Sequence, residues 1–268
     1  MSNLSPVLCG SVRTVINDLI NSLGRVEHYD ATQVRCISFS KATDIVDGVN
    51  IRLTNMAKGY PFAFGGVTWH DSEMLYLCGE FSNASSKHQS IQEEMCRQTS
   101  GFAAKRFIKT KYKSLIRQDF ADFRIQWMMF VVWTKCQGNA EFARLLSLTP
   151  SNAVIIENTT KQRCATKEVW GCSNQELTNY RDMMEEKIKE QAKANNPKIT
   201  KKALDNIVSI ETNKVNDIGI FVGQNNLGKI LMICRDCLIN GTEPPIDYDL
   251  LDTNNIHILG KRISFNNN

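Results

Sequence analysis

One segment constrains the fold before any other. Arg117–Lys135 carries Phe120, Phe123, Trp127, Met128, Phe130, Val131 and Trp133, so a helix over this stretch is apolar on most of its faces. A helix of that kind has to be surrounded by other elements and belongs at the centre of the molecule. Its longest uninterrupted apolar run, Trp127–Trp133, is far too short to cross a bilayer. Asp119 and Arg124 are the polar exceptions. An ion pair or cap accounts for them as well as a place in the lining of a pocket does.

A chain of 268 residues can bury a large core around such a helix, in one domain or two. Hydrophobic content of 42% and charged content of 22% are ordinary for a globular protein. A net charge of +4, from 32 basic and 28 acidic residues, is too weak to argue for nucleic acid on its own. The opening residues MSNLSPVLCGSV show neither a basic start nor an apolar run, so no secretory signal is expected. Nine cysteines at irregular spacing, an odd number, fit free thiols in a reducing, cytoplasmic setting better than a disulfide framework.

Leu53–Phe81 is the stretch that reads most clearly as a site. Aromatic residues from Tyr60 to Trp69 flank Gly65-Gly66, a hairpin signal. Asp71 and Ser72 then cap a helix entered at Glu73. Seven residues are nearly two turns, so Glu73 and Glu80 face the same side, about 10 Å apart along the axis. A carboxylate in the first turn of a helix is favoured by the helix dipole whatever its function. Delivered by an aromatic loop, and with Asn55 nearby in sequence, it would also suit a pocket for a polar ring compound.

The other elements follow from periodicity and punctuation. Ser11 can cap a helix whose apolar face is Val12, Val15, Ile16, Leu19, Ile20 and Leu23 and which Gly24 ends. Val34–Phe39 reads as a strand, and residues 82–90 as exposed turns. Ile91–Lys109 reads as a helix with Met95, Phe102, Ala103 and Phe107 inward. Its basic continuation, Lys105–Lys113, fits a solvated face, with phosphate contact as the functional alternative. Helices over 140–148, 174–194 and 200–210 and a strand over 153–157 follow. A strand at 218–222 then runs into Gly223-Gln-Asn-Asn-Leu-Gly-Lys229 and a helix from 229 to 238. That spacing approaches a phosphate-cradling loop. Ile230 stands where a magnesium-binding Ser or Thr is needed, which argues against a nucleoside triphosphatase. Backbone N–H groups at a helix N-terminus would still suit a phosphate. Trp69 and Trp170 are core residues or stacking surfaces. Cys234-x-x-Cys237 lacks a second pair, so zinc is not expected.

Several stretches together resemble the NADAR, or YbiA-like, N-glycosidase family. Leu53-Thr-Asn-Met56, Thr68-Trp69 and Ser72-Glu-Met-Leu-Tyr76 are similar to its F-S-N-F, W and S-E-H-Y-F elements. Arg117 to Met128 resembles its R-x-D-W-x-x-x-K-x-x-x-M segment. Ala140–Thr149, Ala153–Glu157 and Trp170-Gly171 follow its leucine helix, L-V-E strand and W-G pair, and Gly223–Met232 its G-x-N-x-L-G-x-x-L-M loop. The resemblance spans residues 36–238. It implies an α+β, predominantly helical, YbiA-like fold, with residues 1–33 as an added helical extension and 34–268 as the family domain. It also implies hydrolysis of an N-glycosidic bond in a ribose-phosphate or ADP-ribose compound, either ADP-ribosylated guanine or a riboflavin-pathway intermediate. No metal or redox cofactor is implied, no membrane, and nucleic acid only as a modified substrate. By this resemblance Glu73 is the catalytic carboxylate. Asn55, Asn225, Gly223 and Gly228 contact sugar or phosphate. Trp69, Trp170 and Gly171 wall the pocket, and Arg117, with Asp119, is a phosphate partner.

The chain departs from the family in three places. Glu80 stands where the family has a lysine, and Cys172 where an acidic residue often follows W-G. A rebuilt site could use Glu73 and Glu80 as the two carboxyl groups of an inverting hydrolase. A chain that has lost the chemistry would instead be a nucleotide or ADP-ribose binder. Third, residues 172–217 insert a charged helical hairpin, either a lid or a surface for a partner protein; the tail starts near residue 240.

Overall fold

The computed structural model describes residues 12–164 and 166–265, with side chains from residue 16 onward. The expected Ser11 cap and the side chains of Val12 and Val15 lie outside the described residues. In chain order the elements are α1 (Val12–Ser22), β1 (Glu27–Asp30), β2 (Cys36–Phe39), β3 (Phe62–Phe64), β4 (Val67–Trp69), α2 (Ser72–Glu80), α3 (Ser86–Cys96) and α4 (Gly101–Ala103). α4 passes into a π-helical segment, Ala104–Lys109. Then come α5 (Phe120–Gly138), α6 (Ala140–Ser147), β5 (Val154–Glu157), α7 (Lys167–Trp170), β6 (Cys172–Ser173), α8 (Gln175–Asn195), α9 (Lys201–Asn213), β7 (Ile220–Gly223), α10 (Asn226–Asn240), α11 (Tyr248–Thr253), β8 (His257–Ile258) and β9 (Lys261–Arg262). The fold is α+β and predominantly helical, as expected.

α5 is the axis of the molecule. Phe123, Trp127, Met129 and Val131 are fully buried in it, and α2, α6 and α10 pack around it. Truncating Trp127 to Ala would cost about 3–5 kcal/mol at such a site. α1 lays Ile16, Leu19, Ile20 and Leu23 against the same core. The strands form small sheets rather than one large one. β1, β7 and β6 make an antiparallel sheet in that order. β2 pairs in parallel with β5, from Cys36 opposite Val154 to Phe39 opposite Glu157, and β5 rests on α10. β3 and β4 form the aromatic hairpin, turned by Gly65-Gly66 with both residues at positive φ.

Two expectations fail here for local reasons. The helix expected over 91–109 is two helices. Ser85 caps α3, which therefore starts inside the stretch read as turns, and Ser100 caps a fresh start at Gly101. The continuation is π-helical, and its wider turn moves side chains off the 3.6-residue face. Phe107 consequently stays exposed instead of pointing inward, and Phe102, in the first turn after the fresh start, is exposed as well. The tail segment 256–265, whose sequence reads as a single strand, is a short hairpin, folded at Leu259-Gly260 where both residues take positive φ.

The hairpin α8–α9 packs on itself, capped by Asn174 and Thr200. It sits beside β2, where the end of α9 and the loop Asp44–Val49 enclose a cavity of about 510 Å³. Arg181 of α8 is buried and donates to the Val215 carbonyl. Among the described residues no helix is long and apolar enough to cross a membrane.

Candidate active site

α2 presents the site, and its first turn is held from three sides. One oxygen of Asp71 accepts from Met74 N at 3.1 Å and the other from Gly101 N at 2.8 Å. Gly101 has to be glycine: a Cβ there would lie 2.5 Å from Asp71 Oδ1 and 2.6 Å from Glu73 Cβ. The Asn55 carbonyl accepts from Glu73 N at 3.1 Å, and its Oδ1 from Ser72 Oγ at 3.1 Å. The Asn55 amide faces Met128 Sδ of α5. Asn55 therefore fixes the backbone that carries Glu73, and its buried amide is spent on that task.

The π-helical segment lies along α2 and supplies two lysines. Lys105 Nζ is 2.9 Å from Glu73 Oε1, and Lys109 Nζ is 2.5 Å from Glu80 Oε1. Both carboxylates are buried, while the lysines reach in from the surface. Lys105 is held protonated well above the usual lysine range, chiefly by Glu73, with Glu157 adding to the effect. Burial pushes the Glu80 carboxyl up, against the pull of Lys109. Each carboxylate of α2 is thus matched by a cation from the neighbouring π-helical segment.

A third carboxyl joins them. Glu157 ends β5 and accepts from Gln162 Nε2 at 3.2 Å. Burial raises it to about 7; the charge of Glu73 adds to the rise, and Lys105 and Gln162 oppose it. Tyr76, one turn from Glu73 and one from Glu80, stands among these charges. Its phenol is pushed up by burial, then by Glu80 and Glu73, while Arg124 acts in the opposite direction. The Tyr76 ring meets Trp170 edge to face, centroids 5.4 Å apart, and Phe120 at 5.5 Å. Trp170 is partly buried and walls this side of the cluster.

The remaining predicted residues are placed elsewhere or are already engaged. Trp69 is buried in the core, its indole donating to the Phe64 carbonyl. Arg117 forks onto Asp119 at 2.6 and 2.7 Å and also donates to Ser82 Oγ and the Asn254 carbonyl. Every arm ties chain to chain, so the expectation of a phosphate partner at Arg117 and Asp119 gives way to a structural clamp. The glycine loop tells the same story. Asn225, in the left-handed conformation at φ 51°, is fully buried; it donates to the Ile155 carbonyl at 2.8 Å and accepts from Glu157 N. A Cβ on Gly228 would lie 2.1 Å from the Ile155 carbonyl oxygen, so this glycine lets α10 touch β5. Gly223 lies against the Gly171 carbonyl. Lys229 is fully buried on Glu27 at 2.8 Å and on the Ser22 and Arg25 carbonyls. What resembled a phosphate cradle is the fastening of α1 and β1 to the body.

Sequence reasoning missed Lys105, Lys109 and Glu157 as partners of the α2 glutamates, gave Tyr76 no role, and left Arg124 between an ion pair or cap and a pocket lining. One signal was present: a carboxylate closes the otherwise apolar strand Val154–Glu157. For metals the site offers little. The eight described cysteines are free, and among the described residues no group of three or more His, Cys, Asp or Glu is arranged to hold an ion.

No family model matches the chain, and no curated protein matches it. Among solved structures it is similar to one described as the NMR structure of the E. coli protein YbiA. That likeness has 21% identity and a TM-score of 0.47, covering 77% of this chain and 86% of that one.

Proposed function

We propose that the chain is an N-glycosidase that hydrolyses a ribose-phosphate or ADP-ribose compound, either ADP-ribosylated guanine or a riboflavin-pathway intermediate. The observation that carries this reading is the convergence of Glu73, Glu80 and Glu157 with two lysines beside the Trp170 wall. The motif resemblance supplies the bond to be cleaved. N-glycoside hydrolysis passes through an oxocarbenium-like state, which a fixed carboxylate stabilises while a second carboxyl handles the proton. Glu73, ion-paired with Lys105, is the group for the developing positive charge. Glu157, protonated up to about pH 7, can give its proton to the departing ring nitrogen. Water adds its hydroxyl to the anomeric carbon, and its remaining proton restores Glu157. Glu80 completes the carboxyl pair along α2, and a Glu80→Gln variant that cleaves at the native rate would remove it from the chemistry. The insertion α8–α9, with Tyr180, Met183, Ile207 and Ile210 exposed, is the surface for a protein partner. Free thiols fit a cytoplasmic protein.

One observation favours a second reading. Each carboxylate of α2 is neutralised by its own lysine, an arrangement that suits a nucleotide binder without turnover. Mass spectrometry of free ADP-ribose or ribose phosphate released from ADP-ribosylated guanosine and from a ribosylamino-pyrimidine phosphate separates the two. Product that disappears in Glu73→Gln supports the glycosidase. Absence of product, with calorimetric binding of ADP-ribose, supports the binder.

A further inference from the structure

The outer edge of β2 opens onto a cavity. In a parallel pair one residue bonds its neighbour through both backbone groups, and the next turns its own away. The Arg35 and Phe39 carbonyls accept from Val154 N at 2.9 Å and Asn158 N at 2.7 Å, so the odd-numbered residues serve β5. The even-numbered residues face the other way. Ser38 N donates to Asn216 Oδ1 and Ser40 N to Asp44 Oδ2, each at 2.8 Å. Left over on this edge are the Cys36 N–H and the carbonyls of Cys36 and Ser38, which have no hydrogen-bond partner among the described residues. Cys36 and Ser38 are only 6% and 4% exposed. Buried backbone groups are almost always satisfied, so three orphans on one edge need a reason. Both residues line the cavity of about 510 Å³ beside β2, which gives the three groups one common open space.

The missing partner is defined by what it must reach. It offers an acceptor to the Cys36 N–H and donors to two carbonyls that lie two residues apart, about 7 Å along a strand. Another extended backbone supplies donors and acceptors at that spacing. Its side chains would alternate between the two faces of β2. On one face Ile37 and Phe39 pack with Val46, and Val49 of the same loop also lines the cavity. On the other face Ser38 Oγ donates to Asn216 at 2.9 Å, and Asp217 follows it in the lining. Most lining charges are already engaged: Lys214 with Glu211 at 2.9 Å, and Asp44 with the Ser40 and Lys41 amides. Asp47 and Asp217 are exposed and form no ion pair among the described residues, and Arg35 is the one cation left to oppose them. The slot therefore has an apolar wall, a polar wall and an acidic balance. We infer that the outer edge of β2 is a docking slot for an extended segment of a partner protein in which apolar and basic residues alternate. The inference does not depend on the activity at Glu73.

Calorimetric titration of the full chain with the peptide acetyl-Val-Lys-Val-Lys-Val-amide tests it. Two matched peptides serve as comparisons. One is N-methylated at its central amides, which removes the donors; the other carries glutamate in place of lysine. The parent peptide should bind at least about tenfold tighter than either, equivalent to about 1.4 kcal/mol. In the complex the Cys36 amide should exchange its hydrogen at least about tenfold more slowly by NMR, while Ser38 N, already held by Asn216, changes by less than about twofold. Asp217→Lys reverses a charge at an exposed position and should cut the preference for the parent over the glutamate peptide to below about threefold. Binding that is indifferent to N-methylation, or no binding of any of the three peptides at millimolar concentration, overturns the inference. A preference that survives Asp217→Lys overturns it too. So does a concentration-dependent dimer in which Cys36 is protected without peptide, because a second copy would then fill the slot. The wild-type comparison of the three peptides stands even if the variant fails to fold.

Discussion

The α2 cluster and the glycine loop before α10 both read as ligand sites in the sequence, and the structure separates them. In the glycine loop three polar side chains are consumed internally: Asn225 on β5, Asn226 on Gly24 and the Val169 carbonyl, Lys229 on the α1–β1 turn. In the α2 cluster the charges are paired but not exhausted, since one Glu80 oxygen and one Arg124 nitrogen stay unmatched. The glycines of the loop make room for protein, whereas Gly101 makes room for a carboxylate.

The comparison can be broken most sharply at Glu73. Glu73→Gln should lower turnover by about 10²–10⁴-fold, the usual range for a positioned acid or base, with little change in melting temperature. A melting temperature that collapses while turnover per folded molecule persists would assign Glu73 to the scaffold. Lys229→Met should do the opposite. It strands Glu27 and two carbonyls and should cost about 3 kcal/mol in denaturant unfolding, the lower end for breaking a buried pair. ADP-ribose affinity of the folded protein should then change less than twofold; a large loss of affinity would restore the phosphate-cradle reading. Gly228→Ala should cost about 2 kcal/mol by overpacking α10 on β5, again without touching affinity.

The smallest effect concerns pH. The folded pKa of Glu157 is raised to about 7 from an ordinary 4.5, so the native state holds a proton the unfolded chain gives up, and stability falls as pH rises between those values. Glu157→Gln should therefore be more stable than the wild type at pH 8, on the order of 1–2 kcal/mol after allowance for partial exposure, and no different at pH 4. Equal stability at both would show that Glu157 is solvated. Under the proposed mechanism the wild-type rate should also fall as pH rises above about 7.

How much was legible depended on how local the code is. The aromatic hairpin and the start of α2 could be read because Gly65-Gly66 and Asp71 act within a few residues. The centrality of α5 could be read from its composition, and the helical hairpin α8–α9 from Asn174, Thr200 and the break at Pro197. The lysine partners could not. Lys105 and Lys109 look like a solvated face in one dimension, and only the π-helical winding after Ser100 turns them toward α2. Glu157 was visible only as the end of a strand, because the charges that define its surroundings come from residues 73 and 105. Asn225 matched a motif yet is buried, since a motif specifies a residue and not what it faces.

The fastening of β1 by β7 and Lys229 has a consequence for how the chain is made. Glu27 pairs with Gly223 in the sheet and with Lys229 through its carboxylate, across nearly 200 residues. Contacts at that separation form slowly, because a long loop must close before they reward it. During synthesis residues 27–30 emerge long before their partners exist. Until α10 leaves the ribosome this segment is an unpaired strand, and it is where a stalled or truncated chain would first meet a chaperone.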